Sequence, residues 1–484
     1  MRHPIRKVSV QQPVLTTLLA AGAAAVMGTA VVAVLVAVMV AVMAGPAAAS
    51  DQIPPPPQQR PLLLTGATLH PVDGPDIADG RLLVERGRIV AIGAADAAFA
   101  VPADAQRLHL PGKHVYPGFI AANSALGLTE VQAVRATIDT AEVGAINPNA
   151  RALVAINADS ELLPVARSNG VLAALVMPRA GRGGLITGTA ALVQLDGWSW
   201  DDMAIAPAVG LNVVLPSLRL NAALLSPAVL ARADELKRLT AQRLRQIDEA
   251  FDDAAAYRRA RAADPGLPAD SRWEAMLPAL AGAQPVFVQA DELPQIRYAL
   301  ALAQRHGLRL VIVGGQEAWR IAPLLQAQDV AVIIAGLHRL PARRDDAVDA
   351  PFTLAAQLAA AGVRFAIARD GSEFEAAHER NLPYEAGTAV AHGLPRDQAL
   401  KAITLWPAQI LGVADRLGAL APGRLASFIV TDGDPLEITT HVERLFVQGR
   451  EVDADNRQLR LQRKYQQRLD GLRAVAPGGV PPAR

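Results

Sequence analysis

The chain has 484 residues, half of them hydrophobic and few aromatic. That is enough for a large barrel with additions, or for two or three domains, on a core of Ala, Leu and Val. The formal net charge is +1, and without Arg2, Arg6 and Lys7 the basic and acidic residues nearly balance, which excludes the basic footprint of a nucleic-acid partner. Cysteine is absent, which removes disulfides, thiolate metal sites, a cysteine nucleophile and a lipidated N-terminal cysteine.

The first element in chain order is a leader. MRHPIRK is basic, Val14 to Gly45 carries no charge, and Ala47 and Ala49 stand in an A-x-A pattern, so residues 1–49 are expected to be a secretory signal peptide. The same run is long enough for an uncleaved anchor, since ~20 apolar residues span a bilayer. Under either reading the body is exported, to the periplasm of a bacterial cell, and touches a membrane only through this segment. Residues 50–60, with DQIPPPPQQR, form a stiff, extended, Pro-rich linker.

From residue 61 to 116 short apolar runs alternate with turn residues: LLLTGATLHPVDG, GRLLVERGRIVAIG and AQRLHLPGKHVYPG read as four or five strands with Gly and Pro turns. Residues 413–455 show the same chemistry in ASFIVTDGDP and VERLFVQGREV. The two segments are expected to build one composite β-sandwich domain. Residues 117–412 alternate differently. VLAALVMP is a buried-strand run; PVFVQA precedes the helical ELPQIRYALALAQRHG; LRLVIVGG precedes EAWRIAPLLQAQ; VAVIIAG precedes FTLAAQLAAAG; VRFAIARDG precedes LPYEAGTAVAHG. Such alternation means parallel βα units, and their number suits an α/β fold of the (β/α)8 TIM-barrel type, with a doubly wound open sheet as the alternative. The charged stretch 229–263 reads as a helical insertion with a solvated face, PRAGRGGLITG as a strand-joining turn, and 456–484 as a C-terminal tail.

Four stretches carry a resemblance to a known family: GRLLVERGRIVAIG, HVYPGFI, ALKAITLWPAQILGVADRLGALAPGRLASFIVTDGDP and VERLFVQGREV. Together they resemble the amidohydrolase superfamily in its imidazolonepropionase-like branch. The resemblance implies a barrel with a composite β domain, and a hydrolase acting on non-peptide C–N bonds, cyclic amides or amide-like. It also implies one or two divalent metals at the C-terminal strand ends, held by an H-x-H pair, a carboxylated Lys or Glu, further His residues and an Asp, with a metal-bound water as nucleophile.

Matched position by position, the chain departs from that ligand set. Ala121 stands where an aspartate is common, and Asn123 and Ala125 stand at the paired histidines. Gln289 falls at the fifth-strand position, and Gly315 with Gln316 at the sixth. No lysine occurs between Lys113 and Lys237; only the eighth-strand carboxylate survives, as Asp370. Asp370 is therefore the candidate catalytic residue, and Asn123, Gln289 and Gln316 are candidate substrate contacts at family ligand positions. No metal set is complete. A single divalent ion, zinc, would need a rebuilt site such as His338, His378 and Asp370, and HERNL is not H-E-x-x-H because Leu382 takes the second histidine's place. There is no G-x-S-x-G elbow, so a serine hydrolase has no anchor.

Two functions follow as expectations. One is an exported amidohydrolase-family protein that is weakly active or non-catalytic because its metal histidines are replaced, with chemistry centred on Asp370. The other is a non-catalytic small-molecule binder or partner subunit of an active amidohydrolase paralogue, as a homo- or hetero-oligomer.

Overall fold

The computed structural model describes residues 52–219, 226, 229 and 231–475, so the expected leader lies outside the described residues. Among the described residues no helix is long and apolar enough to cross a membrane. The first strands, β1 (Leu62–Leu69), β2 (Ile77–Glu85), β3 (Arg88–Gly93), β4 (Gln106–His109) and β5 (His114–Pro117), belong to one sheet. The last three, β14 (Phe428–Thr431), β15 (Val442–Val447) and β16 (Arg450–Val452), complete it in the order β16-β15-β14-β5-β1-β2-β3, with β4 on β1. The seam between the two chain ends is the antiparallel pairing of β14 with β5, from Phe428 opposite Pro117 to Thr431 opposite His114. Leu64, Leu82, Val115, Phe428 and Phe446 share its core, so neither end could bury its apolar face alone.

Between the two segments runs the barrel sheet: β6 (Phe119–Ser124), β7 (Val171–Val176), β8 (Ile186–Gln194), β9 (Ala204–Val214), β10 (Pro285–Ala290), β11 (Arg309–Gly314), β12 (Ala331–Ala335) and β13 (Phe365–Ala368), hydrogen-bonded in that order. β13 and β6 also come into contact, nearly closing the sheet. Alternate side chains go to two cores, as the two-residue period of a strand requires. Phe119 and Ala121 pack with Ile296, Leu354 and Ala386 of the outer helices, whereas Ile120 and Ala122 pack inside the barrel with Phe287, Val313, Ile333 and Ala366. The helix Leu405–Ile410 and the following Leu411, Val413 and Leu417 join that inner core. Gln409 and Ile410 lie beside the strand starts Pro285, Arg309 and Ala331, so this segment plugs the N-terminal end.

The barrel departs from a uniform (β/α)8 at its third strand. β8 is antiparallel to both β7 and β9, while the other adjacent pairs are parallel. The cause is local: β7 and β8 are joined by residues 177–185 without a helix, and a connection that short can only turn the chain back. The stretch expected as an insertion lies between the parallel strands β9 and β10. Its helix Ala233–Ala263, with Ser271–Leu280, forms part of their crossover and buries Ile247, Ala250, Phe251 and Ala254.

The two chain ends are tied to the barrel by a buried ion cluster. Asp196 lies just after β8 and is held by Arg450 of β16 at 2.9 Å and by Arg167 at 3.5 Å. Arg167 also donates to the Leu195 carbonyl at 2.6 Å, and Arg450 to the Pro55 carbonyl at 3.1 Å. A buried carboxylate is tolerated because it is paired.

A chain ending at Gly423 lacks β14–β16 and leaves β5 as an unpaired edge. Hydrogen exchange of that truncation is expected to show loss of protection across β1–β5, with the barrel strands less affected. Retained protection in β1–β5 would mean that the N-terminal strands fold without the C-terminal ones.

Candidate functional site at the barrel mouth

The C-terminal strand ends converge on a cleft of about 460 Å³ lined by Asn123, Arg179, Gln289, Asp291, Arg339, Asp370 and Glu373, among others. Asn123 is the fifth residue of β6, Gln289 the fifth of β10, and Asp370 lies two residues past β13. Three of the sequence candidates are thus brought to one cleft. Gln316 stands beside it: its backbone N–H donates to Asp291 Oδ1 at 3.2 Å and its amide to the Leu340 carbonyl at 2.6 Å.

The histidines are placed elsewhere. His338 Nδ1 meets Glu385 Oε1 at 2.8 Å and its Nε2 meets Thr388 Oγ1 at 3.0 Å, both on the helix Leu382–Ala391. His378 Nδ1 bonds to the Phe374 carbonyl at 2.9 Å. Among the described residues no three His, Asp or Glu side chains form a group that could hold a metal ion, so His338, His378 and Asp370 are not brought together as ligands.

The group that does enter the mouth is Arg179. Its backbone is fixed by a 2.6 Å hydrogen bond from its N–H to the Thr140 carbonyl. The preceding Pro178 carbonyl accepts from Thr187 Oγ1 at 2.9 Å and from Asn212 Nδ2 at 2.8 Å. The guanidinium Nη2 donates to Asn123 Oδ1 at 3.1 Å, and Asn123 Nδ2 donates to the Arg369 carbonyl at 3.0 Å. Burial lowers the Arg179 pKa to about 10 against the opposing pull of Asp370, Glu373 and Glu379, so it remains a cation at neutral pH. Its Nε and the Gln289 Nε2 are buried donors with no partner among the described residues.

The rim is organised by further guanidinium–carboxylate pairs. Arg339 Nη2 meets Asp291 Oδ2 at 2.7 Å. Arg369 joins Glu375 and the buried Glu385, whose Oε2 accepts the Leu337 N–H at 2.7 Å. Glu373 Oε1 accepts from Thr140 Oγ1 at 2.9 Å, and Asp370 Oδ1 caps the next turn by accepting the Ser372 N–H at 2.7 Å. Beneath the mouth Glu379 is fully buried. Burial pushes its carboxyl up to about 8, with Ser124, Arg369 and Arg179 pulling the other way.

Chemically, this arrangement offers a fixed cation and unpaired N–H donors for an anionic or carbonyl oxygen. It also offers the exposed carboxylate of Asp370, which can accept a proton. Sequence reasoning missed Arg179 and Glu379. A signal for Arg179 was present: it stands directly after a buried-strand run, at the end where barrel strands present functional groups. Glu379 carries no comparable signal, since its burial is set by tertiary packing.

A model of the Amidohydrolase family matches residues 339–453. The amidohydrolase tasK of Hapsidospora irregularis is 24% identical over 411 residues, covering 76% of this chain and 39% of tasK, so the chain spans about two fifths of that relative. The solved structure of an amidohydrolase from Thermotoga maritima MSB8 aligns with a TM-score of 0.70 at 23% identity, covering 81% of this chain and 99% of that one. A second solved amidohydrolase aligns with a TM-score of 0.50 at 16% identity, over 81% of this chain and 99% of its own. These two structures show the shared fold. The chain thus resembles the Amidohydrolase family in sequence over residues 339–453 and shares the fold of the solved amidohydrolase over 81% of its length.

Two substitutions test this geometry. Gly371 has φ +72°, and a methyl built there would overlap Arg179 Nη2. The left-handed backbone alone costs a non-glycine residue about 1–2 kcal/mol, so Gly371→Ala is expected to lower the melting temperature. In an Arg179→Ala background the same Gly371→Ala change is expected to cost less; an equal cost in both backgrounds would mean that the guanidinium does not pack on Gly371. The second test is the pH dependence of Glu379. A carboxyl at about 8 in the fold lies above its unfolded value of ~4.3, so its contribution is fully present below the unfolded value and is lost as pH rises through 8. Glu379→Gln should raise the melting temperature more at pH 8 than at pH 5; a pH-independent difference would contradict a protonated Glu379.

Proposed function

We propose that this chain, an amidohydrolase-superfamily barrel with a guanidinium in its mouth, has exchanged the metal chemistry of its class for the binding of a small molecule. The observation that carries this is the position of Arg179 against Asn123, the residue at the first family histidine position. A catalytic zinc usually has three protein ligands, and the residues present do not fit one. Asn123 and Gln289 offer neutral amides, Ala125 offers nothing, and Asp370 stands beside a fixed cation rather than beside imidazoles. The unpartnered donors Arg179 Nε and Gln289 Nε2 support a ligand that presents an anionic or carbonyl oxygen. Amide-like molecules of the family's substrate class meet that description. Any hydrolysis retained would rest on Asp370 as proton acceptor and Arg179 as oxyanion partner, and is expected to be weak. The basic start, uncharged run and A-x-A pattern support export to the periplasm as the setting.

The test is elemental analysis of the purified protein after mild dialysis, with melting curves in the presence and absence of chelator. Well under one equivalent of Zn, Mn or Fe is expected, and no chelator effect on melting temperature. A stoichiometric metal that is lost in Asp370→Ala would overturn the proposal and restore a metal hydrolase. Arg179→Met is expected to fold with a lowered melting temperature and to lose the further thermal shift that carboxylate or amide ligands give the unmodified protein.

A further inference from the structure

The C-terminal residues expected as a tail contain a helix of 19 residues, Arg457–Val475. Its root is fixed. Asn456 is buried and its Oδ1 accepts the Leu459 N–H at 3.1 Å; Arg460 pairs with Glu161 at 3.3 Å, and Arg463 with Asp455 at 2.6 Å. Beyond that root every side chain from Leu461 to Arg473 is exposed. The helix is nevertheless amphipathic. At ~100° per residue Leu461, Tyr465, Leu469 and Leu472 fall on one face, with Arg457, Lys464 and Arg468 along its edge. Tyr465, Leu469 and Leu472 are 53%, 49% and 61% exposed. The helix carries Arg457, Arg460, Arg463, Lys464, Arg468 and Arg473 against a single acid, Asp470.

We propose that this helix lies on an anionic lipid surface, with its apolar stripe at the headgroup boundary and its basic residues over the phosphates. Three observations carry this. A solvent-exposed stripe of Leu and Tyr on a strongly basic helix is the composition of an interfacial helix. Charge decides against a second copy of the same helix as occupant, because Lys464 and Arg468 beside the stripe would face their own like, whereas an anionic surface attracts each basic residue near it. The third observation is place. Gln52 Nε2 donates to the Asp455 carbonyl at the helix root, and in sequence the uncharged run Val14–Gly45 ends seven positions before Gln52. The helix root is thus tied to a residue that follows the uncharged run closely in sequence. The helix then supplies the contact that would keep the barrel at the membrane face, whether or not the leader is removed.

The chain has no cysteine, so a single one can report on this helix in the full-length protein. Leu469→Cys on the apolar stripe and Gln467→Cys off it are labelled with an environment-sensitive fluorophore. Each is mixed with phosphatidylglycerol–phosphatidylethanolamine vesicles or with phosphatidylcholine vesicles. The expected result is a blue shift at position 469 on the anionic vesicles only, no comparable shift at 467, and reversal in 1 M salt, where the screening length falls to ~3 Å. The label reads the helix and not the leader, so insertion of the N-terminal run does not produce the pattern. No shift at 469, equal shifts at both positions, or a vesicle-independent shift at 469 that grows with protein concentration would overturn the proposal, the last by pointing to a second copy.

Discussion

A guanidinium partly withdrawn from water has to be answered by acceptors, and the barrel mouth is arranged around that requirement. Arg179 is answered by Asn123 Oδ1 directly and by the field of Asp370, Glu373 and Glu379. Each answering group is held in turn: Asn123 by the Arg369 carbonyl, Glu373 by Thr140, Asp370 by the Ser372 N–H. Removing the cation would leave Asp370 and Glu373 without the positive charge that faces them. Removing the acceptors would leave a part-buried charge with less to offset it.

The inverted third strand is what makes this possible. In a uniform βα unit the chain leaves the mouth after each strand and returns over the outside of the barrel. Here β7 delivers the chain to the mouth, and the short connection to β8 keeps it there. Arg179 sits in that connection, three residues past β7, and its loop is stitched down through Thr140, Thr187 and Asn212. A change of strand direction thus places a side chain where a parallel connection would not hold it.

Much of the fold was legible in the sequence, because period-2 and period-3.6 patterns depend on neighbours in the chain. The composite β domain could be inferred from short strand runs at both ends, neither sufficient to bury a core, and the pairing of β14 with β5 joins them. The inversion of β8 was less legible. VLAALVMP and the run after PRAGRGGLITG are buried on both faces, and such strands look alike whichever way they run. For the site, the family resemblance pointed to Asn123, Gln289 and Asp370, and these strand-end positions line one cleft. The burial of Glu379 depends on packing beneath the mouth, which no local pattern encodes.

The same logic recurs around the rim. Glu317 is fully buried, and although burial raises its carboxyl pKa, Arg219, the Leu293 N–H and Arg343 outweigh it and hold the pKa below its ordinary value. Glu385 gathers Leu337, His338 and Arg369. Asp291 takes Arg339 at 2.7 Å. In this chain the strand ends are drawn together by guanidinium–carboxylate pairs, each directional and local. Such pairs can keep a cleft in shape, but their donors and acceptors are largely spent on one another. What remains for a ligand is the small surplus they leave: the Nε of Arg179, the amide of Gln289 and the outer face of Asp370. That surplus of donors is what the proposed binding of an oxygen-bearing molecule draws on.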